Sequence, residues 1–274
     1  MSGAPVKKER VDILLVERGL TESREQAKRS IMAGLVYTDT SRIEKAGEKI
    51  AVDAPLTVKG PAIKYVSRGG LKLEKALVSF PISVKEKIVL DIGASTGGFT
   101  DCALQNGAKH CYALDVGYNQ LAWKIRQHDQ VTVMERQNFR HATVDMFTEG
   151  LPEAATIDVS FISLSLILPA LKKIIVPGGQ VVALVKPQFE AGKDKVGKKG
   201  IVRDPAIHLE VLEKIAKMAV AEGFSVKGAT YSPVTGGEGN IEFLYYLVAE
   251  EEATTDFTTD DFKNLVKQAH NDLT

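Results

Sequence analysis

Two cysteines in 274 residues, Cys102 and Cys111, are too few for a disulfide framework, and without histidines at ligand spacing they form no zinc motif. Both read as small buried hydrophobes, and no metal is expected. Net charge is also missing. The 35 basic residues balance 35 acidic ones, so the chain as a whole lacks the positive field of a nucleic-acid binder. No apolar run reaches the length needed to cross a bilayer, and the polar N-terminus leads us to expect no secretory leader. A cytoplasmic protein with no membrane partner is the expectation.

What is present points elsewhere. A hydrophobic content of 44% over this length supports a large core and two domains. The charge is unevenly spread: residues 1–75 carry 15 basic and 10 acidic side chains, whereas 250–274 carry two basic and seven acidic. The two ends therefore prefer different partners.

The most informative stretch is V-L-D-I-G-A-S-T-G-G-F-T-D, residues 89–101. An apolar run, Ile88–Leu90, ends at Asp91. A turn with Gly93, Ser95, Gly97 and Gly98 follows, and Phe99 opens a helical pattern. Such a strand, glycine turn and helix lets backbone approach a ligand and offers the positive end of a helix. The spacing is D-x-G-x-x-x-G-G rather than the G-x-G-x-x-G of dinucleotide sites. A carboxylate two residues before the first glycine repels a pyrophosphate and suits a cation, so S-adenosylmethionine is favoured over NAD and over a plain packing corner. The next apolar run, Lys109–Leu114, ends at Asp115, about 20 residues past the turn, where a carboxylate accepts ribose hydroxyls. Asn138, after the strand Val131–Met134, faces adenine or caps a turn; both readings stand.

Residues 1–60 form a small basic module. Val11–Leu20 and the segment from Ser23 to Ala33 are helical, the second opened by a capping box of Ser23 and Gln26 and closed by Gly34. Short strands follow at Leu35–Thr38, Glu48–Val52 and Leu56–Val58. Residues 61–82 are a linker and joining helix. Pro61 and the pair Gly69-Gly70 make a hinge, Arg68 lies within it, and Lys72 sits on the helix Leu71–Phe80. From 83 to 250 strands and helices alternate. Asp158 ends the strand Ala155–Val159. Lys186 leaves the buried strand Val181–Val185, which is costly for a lysine without partners. The loop Gly192–Arg203 carries five basic residues, among them Lys193, Lys198 and Lys199, and is a natural clamp for phosphates. Glu242 opens the last strand, and 251–274 read as a weak acidic helix or tail.

Two resemblances follow from these residues. The run R-V-D-I-L-L-V-E-R-G-L with S-R-E-Q-A-K-R-S-I-M-A-G-L-V resembles the RNA-binding domain of ribosomal protein S4 type. It implies that Arg10, Arg24, Lys28, Arg29 and Lys49 contact RNA. V-S-R-G-G-L-K-L, L-D-I-G-A-S-T-G-G-F-T-D, L-D-V-G-Y-N-Q-L, D-V-S-F-I-S-L, L-V-K-P-Q-F-E and G-N-I-E-F-L, in that order, resemble the TlyA group. Its members are known as hemolysin A or as ribosomal RNA 2′-O-methyltransferases related to FtsJ.

The resemblance implies a Rossmann-like α/β methyltransferase sheet with a closing antiparallel hairpin, preceded by a small α+β RNA-binding domain. It also implies S-adenosylmethionine as cofactor, ribosomal RNA or ribosomal subunits as partner, and 2′-O-methylation of cytidine in 16S or 23S RNA. The family's Lys-Asp-Lys-Glu tetrad carries over onto Lys72, Asp158, Lys186 and Glu242. In that assignment Lys186 is the base and Lys72 a second cation. Asp158 orients Lys186 and borders the sulfonium, and Glu242 holds Lys72 or the ribose. Ile63-Lys64-Tyr65-Val66 departs from the family's R-x-W-V joint. The competing readings are a membrane-damaging hemolysin and a non-catalytic RNA-binding factor.

Overall fold

The computed structural model of the protein describes residues 7–21, 23–39, 41–59 and 64–273. The chain divides into two compact units, Met1–Arg68 and Gly69–Thr274. Part of the hinge and of the joint motif, residues 60–63, lies outside the described residues.

In the first unit, β1 (Lys8–Arg10) runs into α1 (Val11–Glu17), and α2 (Arg24–Met32) follows. The capping expectation at α2 is met on one side: Ser23 Oγ accepts a bond from Gln26 N at 3.2 Å. β2 (Val36–Thr38), β3 (Ser41–Arg42), β4 (Lys49–Ala51) and β5 (Thr57–Val58) complete the unit. β1 pairs antiparallel with β4, and β2 lies between β3 and β5. β1 and β3 are not legible in sequence because they are short and polar. Val11, Leu14, Leu15, Ala27, Ile31, Val36, Ile43 and Leu56 form a separate small core.

The second unit begins with α3 (Gly69–Ser79), β6 (Ile88–Ile92), α4 (Gly98–Gln105), β7 (His110–Leu114), α5 (Trp123–Arg126) and β8 (Val131–Met134). It continues with β9 (Ala154–Ile157), α6 (Leu168–Lys172), β10 (Gln180–Val185), α7 (Pro187–Glu190), α8 (Pro205–Ala221), β11 (Phe224–Tyr231), β12 (Phe243–Ala249) and α9 (Thr259–Leu273). Seven strands make one sheet in the order β11-β12-β10-β9-β6-β7-β8. β8, β7, β6, β9 and β10 are parallel, and β12 runs antiparallel between β10 and β11. The central strands are buried along their whole length, as covering on both faces requires.

Two segments sit differently from the sequence expectation. The joining helix α3 packs on α4 and β12, with Leu73 and Ala76 buried, so it belongs to the second unit and not to a linker. Of the two readings for the C-terminal segment, residues 259–273 take the helical one, and the helix is docked rather than weak. Phe262, Leu265, Val266 and Ala269 recur at helical spacing, are buried in the main core, and seat α9 on α8. The acidic composition hides that stripe, because the acids occupy the outer face.

Candidate active site

The carboxyl ends of the parallel strands share one edge. The chain leaves β6 toward β7 on one side and later returns to β9 on the other, so the switch point lies between β6 and β9. Open α/β sheets bind ligands at such points.

At that point Asp91 departs from its expected role as a ligand-facing carboxylate. It is 1% exposed, and both of its carboxylate oxygens are bonded by protein. Thr100 N and Thr100 Oγ1 donate to Oδ2 at 3.0 and 2.7 Å, and Thr156 Oγ1 donates to Oδ1 at 3.0 Å. Burial pushes its carboxyl up to about 6 against these bonds. Asp91 thus ties the first turn of α4 to β9 beneath the corner. Two glycines of the turn are packed against protein on their Cβ side. Gly93 and Gly97 have φ of +87° and +95°, which side chains resist. A Cβ on Gly93 would strike the carbonyl oxygen of Asp158, and one on Gly97 would lie 2.8 Å from Leu121 Cδ1. Their bare faces meet protein, and the turn is shaped by close packing. Gly98 opens α4, and Phe99 is buried with its ring away from solvent.

The ligand-facing groups lie above this layer. Ser95 is exposed, with φ +48°, and its N–H donates to Asp115 Oδ2 at 2.7 Å. Asp115 Oδ1 accepts from Gly117 N at 2.7 Å. Two backbone bonds therefore hold the half-exposed carboxylate in place while leaving each oxygen a further lone pair. Asn138 is exposed and caps the turn Phe139–His141 through Arg140 N at 3.2 Å.

The four charged residues converge. β9, β10 and β12 are adjacent, and Val185 pairs with Phe243. Asp158 follows β9, Lys186 follows β10 and Glu242 precedes β12, so three neighbouring strands deliver them to the same edge, and α3 supplies Lys72. Lys72 Nζ lies 2.6 Å from Glu242 Oε2 and 3.4 Å from Asp158 Oδ2. Lys186 Nζ lies 2.5 Å from Asp158 Oδ1 and 3.4 Å from Ser160 Oγ. Burial pulls the Lys72 amine down, but the carboxylates of Asp158 and Glu242 outweigh it and hold it above the ordinary lysine value. Burial pushes Asp158 up, and the two lysines overcome that and hold it below the carboxylate range. Lys72 is thus a fixed cation between two acids, whereas Lys186 has one acid, itself shared.

The short helix α7 organises the surroundings, which sequence alone does not reveal. Lys186 precedes it. Gln188 Nε2 donates to Glu242 Oε1 at 3.4 Å. Phe189 packs on Phe161 with ring centres 5.0 Å apart. Glu190 accepts from Ser163 Oγ at 2.7 Å and Leu164 N at 2.8 Å. Phe161 is a functional candidate missing from the sequence expectations. It is 90% exposed, with φ +64°, three residues past Asp158. An aromatic ring held outward in a left-handed conformation is an unusual investment. Its signal in the sequence is a bare Phe between serines in D-V-S-F-I-S.

The predicted RNA contacts have varied surroundings. Arg10 forks onto buried Asp12 at 2.9 and 3.0 Å, and Arg24 reaches the same acid at 2.9 Å. These bonds, Arg10's first, hold the Asp12 carboxyl down at about 2. Both arginines are therefore partly committed to structure. Lys28 pairs with Glu25 at 3.1 Å. Arg29 is half-buried, with its Nε unbonded. Lys49, Arg68, Lys193, Lys198 and Lys199 are exposed. Among the described residues no group of His, Cys, Asp or Glu could hold a metal, and no helix is long and apolar enough to cross a membrane.

A sheet of this order, with a glycine corner at its switch point, an acid ending the next strand and an antiparallel closing hairpin, defines an α/β methyltransferase. Residues 65–249 match the FtsJ-like methyltransferase family and residues 9–54 match the S4 domain, and the chain belongs to the FtsJ-like methyltransferase family. It is 62% identical to "Putative rRNA methyltransferase YqxC" of Bacillus subtilis, over 97% of this chain and 96% of that one. It is 42% identical to "16S/23S rRNA (cytidine-2'-O)-methyltransferase TlyA" of Mycobacterium tuberculosis, over 88% and 90%. The solved structure "Putative hemolysin from Streptococcus thermophilus" is 58% identical with a TM-score of 0.79, covering 98% of each chain. S-adenosylmethionine is the methyl donor of such an enzyme, and the chemistry of the edge fits it. Asp115 has spare acceptors for ribose hydroxyls, and Asp158 is an ionised carboxylate near the corner for a cationic centre.

Proposed function

We propose that this protein methylates ribosomal RNA, transferring the methyl of S-adenosylmethionine to the 2′-hydroxyl of a cytidine in 16S or 23S RNA. The observation that carries the reading is the chain of charges Glu242–Lys72–Asp158–Lys186 at the switch-point edge, buried except at Asp158, which is partly open. The substrate class is supported by the S4 domain and by the printed names of the relatives. In this reading residues 1–60 capture RNA, and the second unit from Gly69, with Lys72 on α3, carries the chemistry, with α9 completing that core.

Asp115 would hold the ribose of the cofactor, Ser95 and the turn 93–98 its amino-acid end, Asn138 its adenine, and Asp158 would border the sulfonium. Bound there, the cofactor supplies an electrophilic methyl group. The protein's own groups do the rest. Lys186 would act as the base, accepting the hydroxyl proton at Nζ as the oxygen takes up the methyl the cofactor would supply. Asp158 fixes that amine in place. Lys72, pinned by Glu242 and Asp158, provides a standing positive charge for the neighbouring phosphate or the developing oxyanion. Alignment of oxygen, methyl and sulfur contributes most of the rate. Phe161 offers a stacking face for a base beside Lys186, since every base has a π-face. Lys193, Lys198 and Lys199 bind phosphates around it, each releasing counterions. Acting on ribosomal RNA, the protein would work in the cytoplasm.

The decisive experiment incubates purified protein with labelled S-adenosylmethionine and ribosomal subunits, then maps 2′-O-methyl groups on the RNA. Label at a cytidine ribose is the expected result. Label on a base, or none on any ribosomal RNA, overturns the reading.

A further inference from the structure

A buried amide stands beside the four charged residues and takes no part in the steps above. Asn240 is 4% exposed. Its Nδ2 donates to Gly200 O and to Gly237 O, each at 3.0 Å, and its Oδ1 accepts from Val202 N at 3.0 Å. Three of the four bonds an amide can make are thus spent on two different loops. On one side lies the end of the basic loop, where Gly200 follows Lys198 and Lys199. On the other lies the turn 236–240, whose Gly236 N donates to the Asn240 carbonyl at 2.8 Å.

That turn wraps Glu242. A Cβ on Gly236 would collide with the Glu242 carboxylate, and Ser232 N donates to the Glu242 carbonyl at 2.8 Å. Glu242 in turn holds Lys72. A continuous set of contacts therefore runs from the exposed lysines through Asn240 and the turn to the buried cation. Both loops are also held in a costly form beside the amide. Lys199 has φ +63° and Glu238 φ +56°, left-handed values at residues other than glycine. Such backbone persists only where its surroundings over-determine it. The two carbonyls that Asn240 binds are those of Gly200, next to Lys199, and Gly237, next to Glu238.

We infer that Asn240 is a positioning residue that couples the capture of an RNA phosphate by the loop 193–203 to the placement of Glu242 and Lys72. Without its clip, the lysines still attract RNA, but phosphate binding no longer sets the charged groups for transfer. The inference rests on the RNA-methylating reading and adds a device to it.

The test is a double-mutant cycle on the full-length protein. Asn240→Asp keeps the shape and the Val202 bond while turning an acceptor toward two carbonyls; Asn240→Ser serves as the second variant. Each is made alone and with Lys198→Ala/Lys199→Ala. The kcat and KM for ribosomal RNA and the Kd for S-adenosylmethionine are measured. The expected result is a kcat lowered by about tenfold or more, with cofactor Kd within about twofold of wild type. In the Lys198→Ala/Lys199→Ala background the same substitution changes kcat by less than about threefold, because the coupled partner is already gone. Equal fold-changes in both backgrounds overturn the inference, as does parallel loss of cofactor and RNA binding. Failure of both variants to fold also overturns it, since the amide is then a folding element. A wild-type protein that leaves ribosomal RNA unmethylated removes the RNA reading itself, whereas an active wild type with additive variants removes only the coupling.

Discussion

Replacing Lys186 by methionine separates chemistry from binding. Methionine roughly keeps the length and volume of the buried stem, and the change deletes the amine that lies 2.5 Å from Asp158 Oδ1. A positioned proton acceptor contributes about 10²- to 10⁴-fold, or about 3–5 kcal/mol of barrier. Single-turnover methyl transfer should fall by that factor. The folded state should suffer less. Removing one partner of a buried ion pair costs about 3–5 kcal/mol when the other charge is left alone. Here Asp158 keeps Lys72 at 3.4 Å, so about 1–3 kcal/mol is expected. The hydrogen bonds described at the corner, from Asp91 to Asp115, do not involve Lys186, so cofactor affinity by calorimetry should stay within about threefold of wild type. Transfer within about tenfold of wild type, with intact folding, would refute the assignment of Lys186 as the base.

Three further outcomes follow from the same geometry. Phe161→Ala should weaken RNA binding by about 1–3 kcal/mol per lost stack, leaving cofactor Kd and thermal stability near wild type; an unchanged KM for RNA removes the stacking role. Asp115→Ala should weaken the cofactor by at least about tenfold, through loss of the ribose acceptor and of the bonds that hold Ser95 and Gly117, and equilibrium binding that stays as tight as wild type contradicts it. Asp91 has a folded value near 6, above its ordinary 3.8, so the native state keeps its proton longer than the unfolded chain. Its share of stability is complete below about pH 4 and declines as pH rises to about 6, by about 3 kcal/mol. Denaturant midpoints across that range should be flatter in Asp91→Asn, and an identical slope refutes the account.

Much of the second unit is legible from sequence because its signals are local. Each parallel strand is a short apolar run ended by a glycine or a charged residue, so Ile88–Ile92, His110–Leu114 and Gln180–Val185 stand close to where periodicity and punctuation put them. The motif resemblance names Lys72, Asp158, Lys186 and Glu242 from positions 170 residues apart. What fails is where a signal is weak or misleading. β1 and β3 are two or three residues long and take their form from their partners. The stripe of α9 is diluted by acids on its other face.

The chain's own order of residues settles the α/β alternation, the glycine corner and the chemical types of the four charged groups, since these depend on backbone preference and local pattern. Which groups face a ligand is decided only by packing. The carboxylate of Asp91 is taken up by Thr100 and Thr156, and the Cβ side of Gly93 and of Gly97 meets Asp158 and Leu121, which the sequence does not disclose. Likewise, Lys72 becomes a fixed cation only once α3 docks at the strand ends, and Phe161 gains its neighbour Phe189 only once α7 does. Charge state and accessibility are properties of the space around a side chain, and that space is built by segments far away in the chain.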